Sequence, residues 1–150
     1  MRILFLFIGE PHHVFHALPI AAEMAAMGQT VEVAVSSADH LRVIEPVRLA
    51  YSDFAPKVTL LGQKGLPRWL RDKDLFRHPR LPILIDALPF LRQFDAIVVP
   101  ERTTTAIRHF LPRKTRLIFT PHGAGDRAIM LDPRDRHFDF VLVAGKKSEQ

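Results

Sequence analysis

The chain has 150 residues, no cysteine, a hydrophobic fraction of 47%, a charged fraction of 25% and a formal net charge of +5. That length suffices for one domain with its own core. The lack of cysteine excludes disulfides and thiolate zinc sites, and no apolar run approaches the roughly 18 residues of a membrane-crossing helix. The positive balance favours anionic partners such as phosphates, nucleotides or anionic lipid. Zinc-finger spacing, an RNA-recognition aromatic motif and a long basic helix are all missing, so no nucleic-acid partner is expected.

Arg2-Ile3-Leu4-Phe5-Leu6-Phe7-Ile8 is apolar after its first residue, and Ile3 to Ile8 is expected to form a strand covered on both faces. No small-residue cleavage site follows it, so a core strand is expected rather than a signal peptide. The polar loop Gly9-Glu10-Pro11-His12 leads into His13 and an alanine-rich helix ending near Met27. Gly28 stands where a left-handed cap residue is wanted. Thr30 to Val35 alternates and is β-branched, a second strand. Ser36, Ser37 and Asp39 offer caps for a helix to about Leu49, which Pro46 is expected to end or kink. Lys57 to Leu61 reads as a third strand, 62–80 as irregular, and Leu81 to Phe94 as one helix despite Pro82 and Pro89. Asp95 to Val99 is a fourth strand, Thr103 to Leu111 a short helix with threonine caps, Arg116 to Thr120 a fifth strand and Phe138 to Val143 a sixth.

Strands alternating with helical patterns define an α/β fold. The expected architecture is a Rossmann-like, doubly wound parallel sheet of about six strands in three α/β/α layers, with residues 1–150 as one domain. Right-handed crossovers put every loop after a strand on one sheet edge. His13, Glu101, Arg102 and His122 therefore converge on that edge, where ligands of open α/β sheets bind.

Three loops there carry chemistry. Gly9, Glu10, His12 and His13 follow the first strand. His12 and His16 stand at i and i+4 and invite a metal, but no carboxylate repeats at a matching spacing, and no metal is expected. Glu101, Arg102 and Thr103 follow the fourth strand: Glu101 can pair with Arg102 or bind hydroxyls, and the threonines can simply cap a helix. His122, Gly123 and Gly125 follow the fifth. Glycines there let backbone N–H groups approach an anion, and His122 can bind phosphate or donate a proton; the alternative is a plain turn. Residues 68–80 interleave Trp69, Leu70, Leu75 and Phe76 with Arg68, Arg71, Lys73 and Arg77. Such a segment can lie on an anionic membrane or pack back on the sheet.

The run from His13 to Val33 resembles the N-terminal signature of GT-B glycosyltransferases: a Gly-His-Val turn, Pro and Leu positions, an Ala-Glu-Leu-Ala helix, a glycine and a valine-containing strand. Asp95 to Val99 resembles the strand before the acceptor pocket in the peptidoglycan N-acetylglucosaminyltransferase group. Phe119-Thr120-Pro121-His122-Gly123 resembles the strand-loop with a His-Gly pair in CDP-glycerol glycerophosphotransferases and related teichoic acid polymerases. Phe138 to Gly145 resembles the last strand of the N-terminal lobe in both groups.

The resemblance implies the acceptor-side lobe of a transferase of cell-envelope polysaccharide, teichoic-acid-like or glycolipid synthesis, using a nucleotide-linked sugar or polyol phosphate. His13 is implied as general base, a task suited to an imidazole of pKa about 6.5. His122 is the second catalytic candidate and, with Gly123 and Gly125, holds phosphate or acceptor. Gly9, Glu10, His12, Glu101, Arg102 and Thr103 are implied as substrate-binding. No cofactor is implied beyond the nucleotide-activated donor as substrate, and no metal is required, because helix N-termini and basic residues can stabilise a leaving diphosphate. The implied partners are a small-molecule or lipid-linked acceptor and a second GT-B lobe or partner subunit. The implied location is cytoplasmic, with residues 68–80 touching the inner membrane face.

Three departures refine this. Gly9-Glu10-Pro11-His12-His13 replaces a glycine-rich loop, which implies an acceptor without a pyrophosphate. The proline of the histidine loop falls at Pro19. The chain stops where a GT-B enzyme crosses to its second lobe, so a fragment inactive by itself is expected. Rival readings are a UDP-sugar 2-epimerase-like lobe and a non-catalytic binding or scaffold lobe.

Overall fold

The apolar run at the start of the chain becomes the inner strand from which the sheet is built outward. The computed structural model describes residues 1–51, 53–62, 80–121 and 132–142. Its strands are β1 (Arg2–Phe7), β2 (Thr30–Val35), β3 (Lys57–Leu60), β4 (Ala96–Val99), β5 (Arg116–Phe119) and β6 (Phe140–Val141). The helices are α1 (His13–Ala26), α2 (Ala38–Ala50), α3 (Arg80–Asp86) and α4 (Leu88–Leu91), with 3-10 helices at Arg102–Phe110 and Pro133–His137. The strand order is β3-β2-β1-β4-β5-β6, and every neighbouring pair is parallel. In that register Phe5 lies between Val33 of β2 and Val98 of β4.

Period-two alternation divides β1 between two cores. Ile3, Phe5 and Phe7 share one with Val14 and Leu18 of α1 and Ile44 of α2. Leu4, Leu6 and Ile8 share the other with Leu84, Leu91, Phe94 and Ile107. None of these six β1-run residues is more than 1% exposed. Burying each side chain contributes about 1.5–3 kcal/mol, so this run has no other place in the fold.

Helix α1 ends as expected. Gly28 has φ 81°, its N–H donates to the Ala25 carbonyl (2.9 Å), and the Gln29 N–H donates to the Met24 carbonyl (3.1 Å). That pair of bonds is a Schellman motif, which satisfies carbonyls the helix leaves open.

Four expectations are corrected. Helix α2 runs through Pro46 to Ala50. The proline costs about 3 kcal/mol in isolation, but Ile44 is buried, Val43 and Val47 pack on the same core, and Ser37 caps the start by accepting from the His40 N–H. The single helix expected from Leu81 to Phe94 is two, α3 and α4, with Pro89 in the first turn of the second. That is where a missing N–H costs least. β1 stops at Phe7, because the Ile8 N–H is taken by the Glu101 carboxylate. β6 is only Phe140–Val141, and the 3-10 turn before it, capped by Asp132, was not foreseen. No described helix is long and apolar enough to cross a membrane.

Candidate functional site at the β1–β4 switch point

The chain winds from β1 toward β3 on one side and from β4 toward β6 on the other. The connections after β1 and β4 therefore leave on opposite faces, and a crevice opens between their carboxyl ends. The packing agrees, since α1 belongs to one core and Ile107 of the first 3-10 helix to the other.

Glu101 lies just past the carboxyl end of β4 with its side chain 6% exposed. Its Oε1 accepts from the Ile8 N–H at 3.2 Å, and the Gly9 N–H faces the same carboxylate as a favourable electrostatic influence. Its Oε2 lies 3.2 Å from Arg80 Nη1 at the start of α3, and Arg80 Nη2 lies 3.7 Å from Glu10 Oε1. One guanidinium thus bridges a buried and an exposed carboxylate. Burial is the largest influence on Glu101 and pushes its carboxyl above the usual glutamate value; Arg80 and the two amides oppose the rise, and Glu10 adds to it.

The loop continues into α1 without a side-chain cap. The His13 N–H donates to the Glu10 carbonyl and the Val14 N–H to the Pro11 carbonyl, each at 3.1 Å. His13 is 5% exposed, and its ring meets that of His12 edge to face, with centroids 4.5 Å apart. His12 and His16 are exposed. Among the described residues no three His, Asp or Glu side chains cluster to hold a metal ion.

Arg102 points elsewhere. Its Nε and Nη2 donate to the two carboxylate oxygens of Asp135 at 2.5 and 3.0 Å, Asp132 lies at 3.8 Å, and its guanidinium stands 4.6 Å over the Phe119 ring. It clasps the connection after β4 to the turn before β6 and does not pair with Glu101. Asp135 is the leading cause of a guanidinium pKa raised further above its usual value. The threonines do not cap the helix either. The cap position falls to Glu101, whose carboxylate is spent on the loop, while the Thr105 hydroxyl donates back to the Arg102 carbonyl at 2.7 Å. Thr103 is half-buried and Thr104 fully buried.

The structure thus packs Gly9 against Glu101 and joins Glu10 to it through Arg80, with His12 and His13 following on the same loop, and it turns Arg102 to Asp135. His122, Gly123 and Gly125 lie outside the described residues, as does the basic segment 68–80 except for Arg80. Sequence reasoning missed two partners. Arg80 closes the basic segment, and nothing in its spacing pointed to Glu101. Asp135 carried no signal, although Asp132 before Pro133 is a readable helix start.

No protein-family model matches the sequence, and comparison with curated proteins gives no match. Solved structures do match. MurG of Acinetobacter baumannii superposes with a TM-score of 0.60 at 15% identity, covering 98% of this chain and 41% of MurG. Glycosyltransferase VinC, solved in complex with DTDP, gives 0.53 at 17% identity over 92% of this chain and 38% of VinC. E. coli heptosyltransferase WaaC, solved with ADP-2-deoxy-2-fluoro heptose, gives 0.50 at 16% identity over 99% of this chain and 45% of WaaC. The chain has the Rossmann-like α/β fold of an N-terminal GT-B lobe, and it spans about two fifths of the length of these glycosyltransferases.

Proposed function

We propose that the chain is the acceptor-side lobe of a glycosyl or glycerophosphate transferase that uses a nucleotide-activated donor. The observation that carries this reading is the meeting of Glu101 with the loop after β1 at the β1–β4 switch point, in a fold shared with three glycosyltransferases. Most donor contacts come from a second lobe or a partner subunit. An acceptor hydroxyl gives its proton to the His13 imidazole as its oxygen attacks the donor. With a nucleotide sugar the attack falls on the anomeric carbon, the bond to the diphosphate oxygen breaks, and the nucleoside diphosphate leaves. With an activated glycerophosphate it falls on phosphorus, and the nucleoside monophosphate leaves.

His122, Gly123 and Gly125 hold phosphate or acceptor in this reading, with Glu10, His12 and Thr103 as further contacts. The acceptor is a cell-envelope glycan, glycolipid or teichoic-acid-like polymer, met at the inner face of the membrane through segment 68–80. The test is acceptor-dependent release of nucleotide from a panel of nucleotide sugars and CDP-glycerol by the complete protein. His13→Ala is expected to lower turnover about 100-fold or more; unchanged turnover removes His13 from the role of base. Product formed without acceptor supports the epimerase instead. A scaffold lobe has one observation of its own, the apolar run at Phe140 and Leu142, which are 57% and 43% exposed.

A further inference from the structure

A buried carboxylate is costly unless it is hydrogen-bonded or paired, and Glu101 meets that need through the main chain of a loop 93 residues earlier. Its amide donor is Ile8, the first residue beyond β1, and the next residue, Gly9, packs directly against the carboxylate. The fit is tight: a side chain at Gly9 would have to displace the Glu101 carboxylate. A β-carbon there would lie 2.5 Å from Glu101 Oε2, 2.9 Å from Cδ and 3.0 Å from Oε1. Gly9 has no left-handed φ, so the carboxylate, and not the backbone conformation, is what a side chain there would meet. Glu101 is also the N-cap residue of the 3-10 helix that follows it, yet makes no cap hydrogen bond.

The grip is transmitted. The next residue, Glu10, supplies the carbonyl that receives the His13 N–H and so opens α1. The path runs from the Glu101 carboxylate to the Ile8 amide and the Gly9 backbone packed on it, to the Glu10 carbonyl, to the His12–His13 ring pair. Arg80 braces the far side from α3.

We propose that Glu101 is the positioning residue of the crevice, setting the course of the β1–α1 loop and with it the orientation of His12 and His13, with Gly9 as its close-packed complement. Its bearing on turnover rests on the transferase reading; its geometry does not, and neither does its test.

The experiment is heteronuclear NMR on the labelled chain as wild type, Glu101→Ala and Glu101→Gln. Glu101→Ala is expected to shift the Ile8 and Gly9 amides and to abolish the mutual ring-current shift of His12 and His13, while Val33 and Ile97 in the sheet stay in place. Glu101→Gln keeps an acceptor oxygen and is expected to restore most of the histidine signature. Melting temperatures add a second readout: Gly9→Ala lowers the midpoint in the wild type and lowers it less beside Glu101→Ala, where the clash is gone. Histidine signals unmoved by Glu101→Ala, or melting losses that simply add, overturn the proposal. Should Glu101→Ala not fold, Glu101→Asp, one methylene shorter, replaces it, and the histidine signals decide in the same way. A confirming spectrum together with no nucleotide release by the complete protein overturns the transferase reading alone.

Discussion

Replacing Arg102 by alanine decides whether that residue is part of the framework or of the substrate site. The side chain donates two hydrogen bonds to Asp135, with Arg102 25% and Asp135 14% exposed. Hydrogen bonds to charged groups contribute about 1.5–3 kcal/mol, and partial exposure places this pair toward the lower end of that range. The guanidinium over Phe119 adds roughly 0.5–1 kcal/mol. The sum is about 2–3 kcal/mol, which for a chain of this size lowers the melting temperature by roughly 5–10 °C. Asp135→Ala is expected to lose a similar amount, and the double variant less than the sum, because both remove one interaction. Arg102→Lys recovers little, since an ammonium cannot present the planar fork. Calorimetric scans of the wild type and the four variants make the comparison. A melting temperature unchanged in Arg102→Ala, combined with lost nucleotide or acceptor binding, refutes the clasp and returns Arg102 to the substrate site.

Other consequences are open to simpler measurements. Gly28→Ala has empty space around the new β-carbon, so its whole cost is the left-handed φ, about 1–2 kcal/mol; an unaltered urea midpoint would count against the Schellman cap. The two buried glutamates give opposite pH dependences. The Glu101 carboxyl is raised above 4.5 in the folded chain, so its contribution is complete below pH 4.5 and is lost as pH rises through the folded value. Glu101→Gln is expected to flatten that loss in urea titrations. Glu32 is pushed up by burial but pulled further down by Arg2 and Lys57, so its contribution is present above pH 4.5 and is lost as pH falls through the folded value. Glu32→Gln is expected to remove that acid-side loss, and an unchanged pH profile in either variant refutes the corresponding assignment.

The strands were legible because a sheet covered on both faces leaves its pattern in sequence. β2 was read to the residue, and β1, β3, β4 and β5 each to within one residue at either end. Pro46 did not end α2, which runs on with Ile44, Val43 and Val47 packed on the core, whereas the single helix expected from Leu81 to Phe94 broke before Pro89. At the crevice, topology alone placed His13 and Glu101 on the same edge. What each carboxylate and guanidinium would choose as partner was not legible. Glu101 chose main-chain amides and Arg80; Arg102, its neighbour in sequence, chose an aspartate 33 residues away. Side-chain pairing across such separations follows from the packed geometry, which no local spacing encodes.

The position of β1 also has a cost during folding. Its pairing with β2 needs only the intervening helix and turn, but Arg2 meets Asp95 across 93 residues. Loop closure penalises the longer contact, so the half-sheet β1–β2–β3 can form while β4 is still unpaired. Until β4 docks, β1 is an edge strand whose residues Ile3 to Ile8 are wholly apolar, the kind of edge that recruits strands from other chains. Assembly of the crevice therefore waits on the docking of β4, and until then the strand beside it is an exposed apolar edge.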